Sequence, residues 1–178
     1  MRKWLKSTVM LVLAFALVVG CSSGPSKEGT DQGEQTVLKL GHVWPKTEIH
    51  AQAVEKFAAE VEKLTNGKLK IEIYGDGTLG NDKDLLEGLK VGTADIWVGG
   101  AGVLSAASET ANIFTVPFMF DSQDHFEKVY NGELGQEIAD RIQQESGYKI
   151  LSYWTRGARW LTVNKEVKTP EDLAGLKI

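Results

Sequence analysis

The sequence predicts an α/β fold built on a largely parallel sheet. Three observations predict it. Short apolar or alternating runs and longer amphipathic runs follow one another in the order strand, helix, strand, helix, strand. The second helical run opens on a capping residue, and both runs close on glycine or asparagine-glycine. Successive strands are joined through a helix, which implies right-handed crossovers and parallel neighbours.

Residues 1–21 stand apart from that pattern. Arg2, Lys3 and Lys6 make a basic start, and Val9 to Val19 runs for eleven residues without a polar side chain. That run is too short to span a bilayer and fits the apolar centre of a secretion signal. It ends in Val18-Val19-Gly20-Cys21, which resembles the lipobox of bacterial lipoproteins, so Cys21 is expected to carry a lipid. Cys21 is the single cysteine, so no intrachain disulfide is possible. Residues 22–35 have no apolar anchor to offset the entropy of ordering and are expected to form a tether. The predicted localisation is extracytoplasmic and lipid-anchored.

The folded part is expected over residues 36–178. Val37 to Val43 predicts a mostly buried strand. Thr47 is placed to cap a helix in which Val54, Phe57, Ala58, Val61 and Leu64 make one apolar stripe. Asn66-Gly67 ends it with a left-handed turn. Lys68 to Tyr74 alternates as a strand does. Asn81 caps a second helix carrying Leu85, Leu86 and Leu89, and Gly92 stops it. Asp95 to Val98 predicts a third, shorter strand. Phe114 to Phe120, broken by Pro117, predicts a buried irregular crossing. Helices are expected near Gln123–Tyr130 and Leu134–Glu145, then a strand over Tyr148–Trp154. Thr169-Pro170-Glu171-Asp172 has the order of a capping box with proline at the first helical position. Leu176-Lys177-Ile178 predicts the opening of another strand, so the chain is expected to be an N-terminal fragment.

Composition narrows the function. The 178 residues are 42% hydrophobic with net charge -4, enough for one domain with a core. Removing the leader takes away three positive charges and no negative one, leaving -7. There is no basic cluster, and the pI of about 5.5 argues against a nucleic-acid partner. Gly75-Asp76-Gly77-Thr78-Leu79-Gly80 matches the dinucleotide pattern G-x-G-x-x-G, and Asp95 follows at the expected distance. Asp95, however, opens its strand, whereas the ribose-binding acid lies at a strand's carboxyl end. The motif is therefore assigned to a structural turn. The three histidines, His42, His50 and His125, lack metal-ligand spacing, and no serine has a base partner. Neither a catalytic role, a metal nor a cofactor is expected.

Ligands of open parallel sheets bind beyond the carboxyl ends of the strands. Those ends place His42, Trp44, Gly100 and Ala101 as candidate cleft residues, with His50 at a helix start, facing solvent or a helix end. Downstream, Gly157-Ala158 leaves open space before Arg159. A guanidinium there presents the paired donors that suit a carboxylate. The alternative is a surface arginine stacked on Trp160.

The ordered set of features resembles a known family. Gly41-His42-Val43 with His50 and Phe57-Ala58, Thr65 to Tyr74, Gly77-Thr78-Leu79-Gly80, and Gly92 to Ile96 belong to the set. So do Val116 to Phe120, Gly157-Ala158-Arg159 with Thr162, and Thr169 to Ile178. From Val37 to Ile178 the chain is similar to the solute-binding subunit of TRAP transporters, of the C4-dicarboxylate-receptor type. The resemblance implies a periplasmic-binding-protein-like architecture of two α/β lobes, the first mostly present here and the second largely missing. It implies a receptor that closes on one small organic acid and delivers it to TRAP membrane permease subunits. It makes Arg159 the main carboxylate ligand. The family's Thr-Asn after that arginine becomes Thr162-Val163-Asn164, and its second arginine lies beyond Ile178. Two other classes share an export signal and an α/β pattern: a binding lipoprotein of an ATP-driven transporter, and an exported α/β enzyme.

Overall fold

The computed structural model describes residues 35–177. The leader, Cys21, all but the last residue of the tether, and Ile178 lie outside the described residues. Three strands form one parallel sheet in the order β2-β1-β3, with β1 Thr36–Gly41, β2 Leu69–Tyr74 and β3 Ile96–Trp97. β1 pairs with β2 from Thr36 opposite Leu69 to Gly41 opposite Tyr74. On its other side β1 meets β3 only at Leu40 opposite Ile96 and Gly41 opposite Trp97. β1 is therefore central, and the predicted βαβαβ start is present.

The helices lie on opposite faces. Helix α1, Ile49–Leu64, packs Val54, Phe57, Ala58 and Val61 with Leu40 and Ile71. Helix α2, Asp82–Val91, lies against the other face. There a Cβ on Gly41 would come within 2.3 Å of Leu85 Cδ2, so only glycine allows that approach. Strand alternation explains the pair: Leu40 turns to α1 and Gly41 to α2. Below α2 lies the larger core, where Leu86, Leu104, Ala111, Tyr130, Ile138, Ile142 and Tyr148 meet. Two 3-10 segments, Ala101–Ala106 and Thr110–Thr115, and two helices, α3 Gln123–Tyr130 and α4 Glu133–Ser146, supply it.

Local signals explain most boundaries. Asn81 Oδ1 accepts the amides of Lys83 and Asp84, and Asp84 accepts the Asn81 amide in return. Gly92 ends α2 at φ 78°. Asn66 and Gly67 close α1 in left-handed conformations, and the Gly67 amide reaches Glu62 O at 2.8 Å. Asp172 accepts the amides of Lys168 and Thr169 at the short 3-10 segment Pro170–Leu173. Those two bonds hold its carboxyl below the ordinary carboxylate range.

Several expectations fail. Thr47 does not cap α1, because a turn from Pro45 to Glu48 delays the helix to Ile49, and Glu48 at the cap makes no side-chain bond. The apolar stripe ends at Val61, since Leu64 is 72% exposed. The crossing at Phe114–Phe120 is irregular but not buried: Phe114 and Phe120 pack into the larger core, whereas Phe118, at φ 57°, points fully into solvent. Tyr148–Trp154 forms no strand. It finds no strand neighbour among the described residues, and side chains hold it instead. Leu176 and Lys177 likewise form none.

Candidate functional site

The site begins where β1 ends. The first crossover, β1 to β2, runs to one side of β1, and the second returns past it to β3 on the other. The chain thus diverges to opposite faces at the carboxyl ends of β1 and β3. In open α/β sheets that divergence leaves a crevice for ligand.

Three backbone bonds fix the loop after β1. The His42 amide donates to Tyr74 O, His42 O accepts Gly77 N–H, and Trp44 O accepts Asp76 N–H, each at 3.1 Å. The glycine-rich turn after β2 thus spends its amides on its own neighbours, since Thr78 and Gly80 also donate to Gly75 O and Gly77 O. Asn81 and Asp84 occupy the start of α2. Asp95 stands before β3, and its carboxylate accepts the Lys39 amide at 2.8 Å. Nothing in this arrangement cradles a pyrophosphate.

Trp44 is half-buried, and its indole packs on the smaller core. His42 is its neighbour, at 5.6 Å between ring centroids. The sequence offered His42 as a cleft residue. It is 2% exposed and lies between Trp44 and Gly75. Burial pushes its pKa below the ordinary value, with Asp76 and Glu55 opposing. His50 faces the helix end: its Nδ1 lies 3.5 Å from Glu48 at the cap of α1, and its ring lies 4.9 Å from Trp44.

Beyond β3 the Val98 amide donates to Gly41 O, tying this end to β1. Trp97 donates from Nε1 to Asp82 at 2.9 Å. Gly100 follows, exposed, with open space where a Cβ would stand, and Ala101 starts the first 3-10 segment. Trp44, Gly100 and Ala101 therefore follow the carboxyl ends of adjacent strands.

Arg159 lies elsewhere on the chain. Tyr148 donates to Leu86 O at 2.8 Å, Tyr153 to Gly135 O at 3.2 Å, and Thr155 accepts from Gln123 at 3.2 Å. Burial pushes the Tyr153 hydroxyl up to about 12. Trp154 turns the other way and meets Phe57 of α1 edge-on at 6.3 Å. Sequence reasoning missed this bridge between the two cores, and only the alternation of Tyr153 and Trp154 hinted at it. After Thr155 the chain has no regular structure and is mostly exposed as far as Lys168. Arg159 sits in that stretch beside Trp160, which is 87% exposed. Among the described residues no hydrogen bond or ion pair joins Arg159 to Trp44, Gly100 or Ala101.

Two open depressions, of about 400 and 420 Å³, lie on α3 and α4. Asp124, Glu127, Lys128 and Asn131 line one, and Asp140, Gln143 and Gln144 the other. Neither includes a residue of the sheet edge. Among the described residues there is no cluster of three metal-ligating side chains, and no helix is long and apolar enough to cross a membrane.

Comparison with known proteins identifies the arrangement. The chain is 34% identical over 142 residues to the 2,3-diketo-L-gulonate-binding periplasmic protein YiaO of Escherichia coli, covering 79% of this chain and 43% of that one. A TRAP periplasmic solute-binding protein from Ochrobactrum anthropi, solved with its C-terminus bound in the ligand-binding pocket, superposes with a TM-score of 0.74 at 32% identity. That match covers 81% of this chain and 45% of the other. One from Sulfurospirillum deleyianum with bound succinate gives 0.70 at 30% identity, over 80% and 46%. The chain thus spans under half the length of these relatives, and the fold is that of one lobe of such proteins. The sequence pattern of bacterial extracellular solute-binding proteins, family 7 (DctP), matches residues 40–178, and the chain belongs to that family.

Proposed function

We propose that this chain captures a small organic acid outside the cytoplasm and passes it to the membrane permease of a TRAP transporter. The observation that carries the reading is the family match, together with Trp44, Gly100 and Ala101 after the carboxyl ends of adjacent strands. In the proposal these three residues form the wall, and Arg159 supplies the charge. A carboxylate leaving water needs a fixed cation, and arginine offers two parallel hydrogen bonds where lysine offers a point charge. The exposed segment bearing Arg159 folds toward the ligand when the receptor closes. The relatives support an acid of either kind: one is named for a sugar acid and another holds succinate. A C4-dicarboxylate and a sugar acid are therefore the two probe classes.

The test is calorimetric titration of succinate and 2,3-diketo-L-gulonate into the receptor as the cell makes it. Removing one side of a buried charged pair costs about 2–5 kcal/mol, roughly 30-fold to several thousand-fold in affinity. Arg159→Ala is expected to lose binding on that scale with its circular dichroism unchanged, and Arg159→Lys to recover part of it. Arg156→Ala, before the Gly157-Ala158 opening, is expected to bind like the parent. A folded Arg159→Ala that binds within about threefold of the parent removes Arg159 from the site.

Anchoring is the second element of the proposal. Cys21 carries the lipid, and the tether lets the receptor stay at the membrane. Cys21→Ser is expected to move the protein from the salt-washed membrane pellet to the soluble fraction. Retention in the pellet would exclude a lipid at Cys21.

A further inference from the structure

Three rings at the end of β1 form a stack that carboxylate capture leaves unexplained. The Nδ1 atom of His42 accepts the Trp44 amide at 3.2 Å. An amide only donates, so Nδ1 carries a lone pair and the ring proton sits on Nε2. The opposite edge of the ring faces Gly75, where a Cβ would come within 2.7 Å of Cε1 and 2.9 Å of Nε2. The imidazole therefore has no room to swing away from Trp44. The Trp44 ring lies 5.6 Å from His42 at 30° and 4.9 Å from His50 at 31°.

We propose that His42 is the positioning residue of Trp44, and that protonation of His42 releases Trp44 and makes this wall respond to pH. Its bearing on ligand rests on Trp44 being part of the cleft, but the coupling between the two residues does not. A proton on Nδ1 sets a donor against the Trp44 amide and turns attraction into repulsion. The charged groups around the stack are Asp76 in the turn after β2, Glu55 on α1, and Glu48 at the head of α1. Asp76 and Glu55 favour the imidazolium. Burial outweighs them and holds His42 below its ordinary 6.5. The stack is therefore complete at neutral pH and opens as the pH falls below 6.5. His50 plays a different part. Its Nδ1 lies 3.5 Å from Glu48, and the Trp44 amide bonds His42, not His50.

The test needs no ligand, so its outcome is separate from that of the carboxylate titrations. The protein is labelled with 5-fluorotryptophan, and the Trp44 fluorine signal is assigned with Trp44→Phe. The signal is followed from pH 8 to pH 5, alongside the His42 Cε1 proton. The parent is expected to show one inflection below pH 6.5 shared by both signals. His50→Gln is expected to keep it. His42→Asn retains an acceptor oxygen but does not titrate, so its Trp44 signal is expected to match the parent at pH 8 and stay flat. A flat Trp44 signal in the parent overturns the proposal. So does an inflection that follows His50, survives His42→Asn, or departs from that of the His42 proton. Should His42→Asn fail to fold, the parent and His50→Gln decide alone.

Discussion

From Thr36 to Trp97 each strand has a partner and each helix packs an apolar face on the sheet. From Leu151 to Asn164 the chain is just as rich in apolar side chains, yet Leu151, Trp160 and Leu161 are exposed and no strand forms. The difference is in what supplies the partners. β1 and β2 come with a crossover helix that brings them together, and the loop entropy is offset by core burial. The later stretch has no neighbouring strand among the described residues. Tyrosine hydroxyls and one glutamine hold its first half, and its second half runs free to Lys168. The first region is therefore scaffold, and the second is exposed chain without strand partners among the described residues.

The contrast breaks first at the sheet. Leu40 is fully buried against Val54 and Ile71. Leu40→Ala leaves a cavity under α1 and is expected to cost about 2–5 kcal/mol. Urea unfolding measures it. A loss below about 1 kcal/mol would mean that the sheet region is no better packed than the exposed stretch.

The middle of the molecule adds a polar version of the same scaffold. The Glu145 carboxylate accepts Ser108 Oγ at 2.5 Å, Thr110 N at 3.0 Å and Thr110 Oγ1 at 2.5 Å. These bonds tie α4 to the second 3-10 segment, and they pull the Glu145 pKa down from 4.5 to about 2. The folded value lies below the unfolded one. Its contribution is therefore present above pH 4.5 and is lost as the pH falls toward 2. Glu145→Gln is expected to be less stable than the parent at pH 7 and to lose less of its stability between pH 4.5 and 2. Parallel urea midpoints for the two proteins across that window would show that Glu145 does not set the acid response.

These two regions also show what a sequence exposes. The cap at Asn81, the stop at Gly92 and the turn at Asn66-Gly67 are local, and their partners lie within a few residues. All three were legible. Thr47 had the right chemistry but missed its place, because the Pro45 turn moved the helix by one residue. Tyr148–Trp154 read as a strand, but a partner strand is a non-local fact, and none stands beside it among the described residues. Glu145 meets Ser108 across 37 residues, and Tyr148 meets Leu86 across 62. No periodicity encodes either contact. Of the site, strand ends located Trp44, Gly100 and Ala101. Strand-end position did not show that His42 is buried beside Trp44.

The smallest effect is expected at Trp160, and it sharpens the contrast most. Trp160 is 87% exposed, so its indole has little burial to lose. Truncating a surface side chain away from caps, cores and networks changes stability by about 0.5 kcal/mol or less. A buried tryptophan cut to alanine costs about 3–5 kcal/mol. Trp160→Ala is therefore expected to leave the urea midpoint and slope of the unliganded protein unchanged. A lower midpoint with the same slope would mean that the indole is packed in solution, and that the stretch around Arg159 belongs to the scaffold. An unchanged midpoint in the unliganded protein, with weaker succinate or 2,3-diketo-L-gulonate binding, would show the indole buried only once ligand is bound. That outcome would separate a segment held ready for closure from one that is simply exposed.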